Sequence, residues 1–179
     1  GKHQVFAAVD PAFAAFTITA TAPSKTFNIA GLQVSNIFIA DDALRAKFRR
    51  AYNASGYSQL NAAGLIAAEA AYRGGEVWYN AVKAYLVENI AYMREFINTR
   101  LPQLRMIEPE GTYLVWVDFR KLGLDNGALE DLILHKAGLW LDSGAIFGPV
   151  GAGFQRFNIA CPRATLQRAL EKLEAAIIQ

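Results

Sequence analysis

The hydrophobic pattern of this chain changes texture part-way along, from short apolar runs and helical stripes to brief strands with tight turns. Residues 16 to 22 alternate β-formers with small residues, which predicts a strand delivering Lys25 at its carboxyl-terminal end. Val34 to Ala40 predicts a second, buried strand. Asp41 or Asp42 can cap the next helix, in which Leu44, Phe48, Ala51 and Tyr52 recur at helical spacing. A turn follows around Gly56, then an Ala-rich helix over 59 to 72 whose Gly64 suits close packing. Gly74-Gly75 breaks that helix, and a long one is predicted from Glu76 to Arg100, ended by Pro102. Trp78, Val82, Tyr85, Tyr92 and Phe96 form one stripe on it; Leu86, Ile90, Met93 and Ile97 form the adjacent one. At about 1.5 Å per residue such a helix is long enough to join two domains. The predicted boundary lies within it, giving domains at 1–85 and 86–179. Beyond it, Tyr113 to Phe119 predicts a strand, Gly127 to Lys136 a helix, and Trp140 with 144 to 153 a strand and loop. Arg156 to Ala160 predicts the last strand, and Thr165 opens a final helix with Leu166, Leu170, Leu173 and Ile177 on one face.

Composition narrows the function classes. Of 179 residues, 53% are hydrophobic and 19% charged, so the chain builds a core and is not a disordered segment. The net charge is +2, and only Arg45 to Arg50 form a local basic cluster, on a predicted helix; nucleic-acid binding is not expected. Cys161 is the single cysteine, which excludes an intramolecular disulfide. With His3 and His135 it supplies too few ligands for a closed zinc site, so no metal is expected. A reducing cytoplasm is the expected setting. The apolar runs are interrupted and no signal-peptide pattern opens the chain, so no membrane association is expected.

Two cations stand out as chemistry. A lysine after a strand is most often a surface residue, yet no charge occurs from Pro11 to Ser24, and the next after Lys25 is Asp41. That setting predicts a partly buried, more nucleophilic amine, able to form a Schiff base with an aldehyde. Arg163 follows Pro162 just before a helix; its planar guanidinium suits a two-point grip on a carboxylate. Arg156 is predicted to share a strand face with Asn158 rather than to replace Arg163. Cys161 reads as a small buried residue, without a histidine near it in sequence to activate it. The Gly144, Gly148, Gly151, Gly153 series lacks the Lys-Ser/Thr ending of a phosphate-binding P-loop, and predicts a mobile loop near a substrate entrance.

The phrase Ser24-Lys25-Thr26-Phe27-Asn28-Ile29-Ala30-Gly31-Leu32 closely resembles the cofactor-lysine motif of the fold-type I pyridoxal phosphate (PLP) enzymes, the class I/II aminotransferases. It is most similar to their cystathionine β-lyase branch, the C–S lyases of maltose-regulon modulator type. Asn158 to Arg163 resembles the family's carboxyl-terminal signature, and Glu110 to Trp116 its strand entering the small domain. The resemblance implies an α/β fold: the end of a large-domain sheet, a long connecting helix and a small α+β domain. It implies that Lys25 holds PLP and moves the substrate Cα proton, and that Arg163 binds the substrate α-carboxylate. Ser24 matches a hydroxyl beside the cofactor phosphate, or else serves only its turn; Thr21 is a second candidate for the phosphate. Tyr113 faces either substrate or core. Gln33 stands where many aminotransferases carry a phosphate-binding arginine, which argues against the aspartate-type site. Ser55 to Gln59 matches a region that approaches the partner's cofactor in related dimers, with no functional residue assignable.

The resemblance covers the carboxyl-terminal half of a family member. It therefore implies that the acid pairing the pyridine nitrogen, the ring-stacking aromatic and the Gly-rich phosphate loop belong to an amino-terminal half preceding Gly1. The expected function is β-elimination at a C–S bond of a small amino acid by a complete, homodimeric protein, this chain alone being inactive. Transamination, or a non-catalytic regulatory module that keeps the fold, is the alternative.

Overall fold

The structure, a computed structural model, describes residues 3–57 and 59–178. It divides into two compact units, Gly1–Ala81 and Val82–Gln179.

The amino-terminal unit opens with two 3-10 turns, Phe6–Ala8 and Pro11–Phe16, the second capped by the Asp10 carboxylate on the Ala12 amide. Phe6, Phe13 and Phe16 pack their rings together there. Strand β1 (Thr19–Thr21) pairs antiparallel with β2 (Asn36–Phe38), Thr21 opposite Asn36. β1 is shorter than the run 16 to 22 predicted, because Pro11 and the Asp10 cap carry a helical turn as far as Phe16. Helix α1 (Asp42–Ala54) takes Asp41, not Asp42, as its cap, with the carboxylate accepting from the Leu44 amide at 2.7 Å. Helix α2 (Ala62–Gly74) is capped by Asn61. A Cβ at Gly64 would stand 2.5 Å from Val34 Cγ2, so the glycine is what lets α2 lie against residues 32–34. Helix α3 (Glu76–Arg100) begins here and continues into the second unit. Ser58, within the segment that resembles a partner-facing region, lies outside the described residues.

The carboxyl-terminal unit is a four-stranded antiparallel sheet with helices. β3 (Arg105–Met106), β4 (Leu114–Asp118), β5 (Asp142–Ser143) and β6 (Phe154–Asn158) stand in the order β3-β4-β6-β5. Helix α4 (Asn126–Asp131) runs into a π-helical turn over Leu132–Lys136. Helix α5 (Arg163–Ile178) closes the unit and starts at Arg163, two residues before the predicted Thr165. Its Leu166, Leu170 and Leu173 meet Met93, Phe96 and Ile97 of α3 and Val115, Val117, Phe157 and Ile159 of the sheet region in one core. Burying each such side chain contributes about 1.5–3 kcal/mol. Trp140, expected in a strand, lies outside any and is 92% exposed. The 144 to 153 loop is two 3-10 turns, Gly144–Phe147 and Pro149–Gly151; a Cβ at Gly144 would stand 2.1 Å from the Gly151 carbonyl oxygen. Among the described residues no helix is long and apolar enough to cross a membrane.

Candidate active site

The two chemical handles lie in different units. In the first, Thr21 ends β1, Pro23 is buried, and residues 24–28 form a turn that presents Lys25. Backbone bonds close that turn: the Phe27 amide donates to the Pro23 carbonyl at 2.9 Å, and the Ile29 amide to the Ser24 carbonyl at 3.0 Å. Asn28 takes a left-handed conformation (φ 54°), which asparagine tolerates better than most residues. Phe27 is the anchor. Its ring meets Tyr72, Trp78 and Tyr79 at centroid distances of 6.2, 6.0 and 6.1 Å, and a Cβ at Gly75 would come within 2.5 Å of it. The turn is thereby seated on the α2–α3 junction.

Lys25 itself is exposed, which corrects the expectation of partial burial. A charge-free stretch reports only on sequence neighbours, and the turn lifts this side chain away from them. Its amine has no hydrogen-bond or ion-pair partner among the described residues. The half-buried Ser24 likewise leaves its hydroxyl without a partner there, so the turn is held by backbone and not by that hydroxyl. Thr21 Oγ1 accepts a long 3.5 Å bond from Asn36 Nδ2, which also donates to the Tyr72 hydroxyl at 3.1 Å. Gln33 is exposed and ends a 3-10 turn in the left-handed region (φ 53°).

Around Arg163 the second unit is more tightly built. The Asn158 side chain accepts from the Ala160 amide at 3.0 Å, turning the chain out of β6. Asn89 of α3, with 0% of its surface exposed, donates to the carbonyls of Ile159 (2.9 Å) and Cys161 (3.0 Å). Its Oδ1 accepts from Arg163 Nε at 2.7 Å. The Tyr85 hydroxyl accepts from the Arg163 amide at 2.6 Å, and the guanidinium lies 4.8 Å from the Tyr92 ring centroid. Among the described residues no carboxylate pairs with Arg163, and neither Nη atom has a hydrogen-bond partner. Arg163 is also the first residue of α5, where the helix dipole favours an anion.

The neighbouring candidates have structural roles. Arg156 stands opposite Asp142 in the β5–β6 pair and forms an ion pair with it, its guanidinium 4.7 Å from the Phe147 ring centroid. Cys161 is half-buried, and burial pushes its thiol pKa up, which makes a poor nucleophile. Tyr113 packs against the core, its carbonyl accepting from the Ile159 amide. Asn89 was not singled out from sequence. A signal for it was present: a lone polar residue four positions after Tyr85 and four before Met93, inside an otherwise apolar stripe.

Comparisons with known proteins bear on the fold and the family likeness of the chain. No family model matches the chain. It is 42% identical to the cystathionine β-lyase PatB of Bacillus subtilis over 98% of its own length and 46% of that protein's. To the protein MalY of Escherichia coli it is 33% identical, over 88% of this chain and 40% of that one. The crystal structure of cystalysin from Treponema denticola, which contains a pyridoxal 5'-phosphate cofactor, superposes with a TM-score of 0.96. It is 38% identical, and the match covers 99% of this chain and 45% of that chain. The chain thus spans about half the length of the curated relatives it matches. In sequence the chain is similar to cystathionine β-lyases, and it has the fold of the PLP-dependent aminotransferase-fold proteins over a stretch that fits the carboxyl-terminal portion of that fold.

Proposed function

We propose that the complete polypeptide is a PLP-dependent C–S β-lyase of amino-acid metabolism and that this chain supplies its lysine and its carboxylate clamp. The observation carrying the reading is Arg163, held at Nε and at its backbone amide yet with both Nη atoms open and no acid beside it. An unpaired amine with two hydroxyl residues near it in sequence, Lys25 with Ser24 and Thr21, is a donor set that fits an aldehyde bearing a phosphate. When bound, PLP supplies an aldehyde for that amine and an electron sink for charge developing at the substrate Cα.

The chain's own residues then divide the work. Lys25 would hold the cofactor through its aldehyde and would serve as the base for the substrate Cα proton. Ser24 and Thr21 would offer their hydroxyls to the cofactor phosphate. Arg163 orients the substrate by its α-carboxylate, so that a single geometry is presented to Lys25. In such an elimination the Cα–H electron pair would form a Cα=Cβ bond as the thiolate left with the Cβ–S pair, and hydrolysis of the resulting enamine would give pyruvate and ammonia. In this reading residues 1–85 complete the cofactor-binding domain and 86–179 form the small domain of a cytoplasmic homodimer. Likeness to relatives named cystathionine β-lyase supports elimination over transamination.

The test is the PLP-saturated complete protein supplied with cystathionine. Pyruvate, ammonia and a free thiol are expected in equal amounts. Transfer of the amino group to a 2-oxo acid would make it an aminotransferase, and cofactor binding without either product a non-catalytic module. Borohydride reduction and peptide mapping should place the phosphopyridoxyl group on Lys25, and Lys25→Ala should abolish it.

A further inference from the structure

Asn89 is a polar side chain where α3 otherwise buries Met93, Phe96 and Ile97. Burying an amide is costly unless its hydrogen bonds are made, and here they are. Both donated bonds go to backbone carbonyls on either side of Ala160, and the oxygen takes the Arg163 Nε–H. Only this orientation of the amide serves all three partners, since carbonyls cannot donate and a guanidinium cannot accept. A leucine would fill the position and leave two carbonyls and Nε unpaired. The backbone that carries Arg163 and the plane of its guanidinium are thus governed by one residue 74 positions away.

The consequence is geometric. A guanidinium can grip a carboxylate side-on, through Nε and one Nη, or end-on, through both Nη atoms. With Nε committed to Asn89, only the end-on fork is open. The Tyr92 ring, 4.8 Å away, restrains the guanidinium on one face, and the Tyr85 hydroxyl fixes the backbone at the root of the side chain.

We infer that Asn89, with Tyr92 against the guanidinium face, is a positioning residue that aims Arg163 for end-on capture of the substrate α-carboxylate. This rests on the proposed role of Arg163, and the test separates the two. In the complete, PLP-loaded protein, binding is compared for an L-amino acid and for the amine with the same side chain but no carboxylate. Arg163→Gln should erase the preference for the amino acid; if the preference survives, the role of Arg163 itself is wrong. Asn89→Ala should weaken amino-acid binding by about tenfold to a hundredfold, the effect of misplacing an orienting group, while amine binding and the cofactor's absorbance are unchanged. Tyr92→Leu should weaken it by about threefold with the same selectivity, and it carries the test should Asn89→Ala not fold. Equal loss for both ligands marks a merely structural role and overturns the inference. So does unchanged binding in these variants when Arg163→Gln has lost the preference.

Discussion

The two units of this chain are built on different balances. In the carboxyl-terminal unit, α3, α5, β4 and β6 share a core in which Met93, Leu101, Val115, Val117, Ile159, Leu170 and Leu173 are fully buried. In the amino-terminal unit Pro23, Val34 and Ala68 are the buried apolar side chains among the described residues, while Phe16, Phe38 and Ile66 are largely exposed. One unit is held by a closed core, the other by caps, a two-stranded pair and aromatic contacts around Phe27. The two candidate handles inherit this contrast. Arg163 is oriented by Asn89, a buried group that cannot move without opening a core, whereas Lys25 sits on a turn anchored by one ring in one aromatic cluster.

The contrast can be broken by substitution, with hydrogen exchange read separately in each unit. Leu170→Ala should have the largest effect, about 3–4 kcal/mol for a fully buried leucine. Protection should fall throughout 82–179, and equal loss in the first unit would show that the two fold as one body. Gly75→Ala should cost about 1–3 kcal/mol, since the added methyl meets both Phe27 and the Ala71 carbonyl. Its signature is faster exchange confined to the turn at residues 24–28. If that turn is unmoved, Phe27 is not its anchor.

Asp118→Asn should have a smaller, pH-dependent effect. Hydrogen bonds from the Arg120 side chain hold the Asp118 carboxyl below the usual carboxylate range, aided by the Arg120 amide and the nearby Arg105. A lowered folded-state pKa stabilises the fold above the unfolded value of about 4, and that stabilisation disappears as pH falls through the folded value. The variant should therefore be less stable at neutral pH, the gap closing in acid; a gap constant with pH would remove the ion pair as its cause. The smallest effect is expected for Ile66→Ser, 70% exposed on α2, within about 0.5 kcal/mol. A cost several times larger in the complete polypeptide would mean that this face is covered there.

Much of the architecture could be read from the chain. Gly74-Gly75 and Pro102 bracket α3 at Glu76–Arg100, Asp41 caps α1, and β4 lies within the run Tyr113 to Phe119. The phrases around Lys25 and Arg163 pointed to the family that the comparisons bear out. The exposure of Lys25, the pairing of Arg156 with Asp142 and the grip of Asn89 were not visible. Each depends on residues brought together across the fold.

That division follows from the range of the interactions. Helix ends, caps and turn residues act over one to four positions, so amino-acid order alone encodes where elements begin and stop. Which faces are covered is settled by neighbours in space. A charge-free run around Lys25 says nothing about the turn that lifts it outward, and an asparagine in an apolar stripe has no meaning until two carbonyls and a guanidinium surround it. Burial and hydrogen-bond satisfaction belong to the folded ensemble of contacts, and there Arg163 acquires its direction.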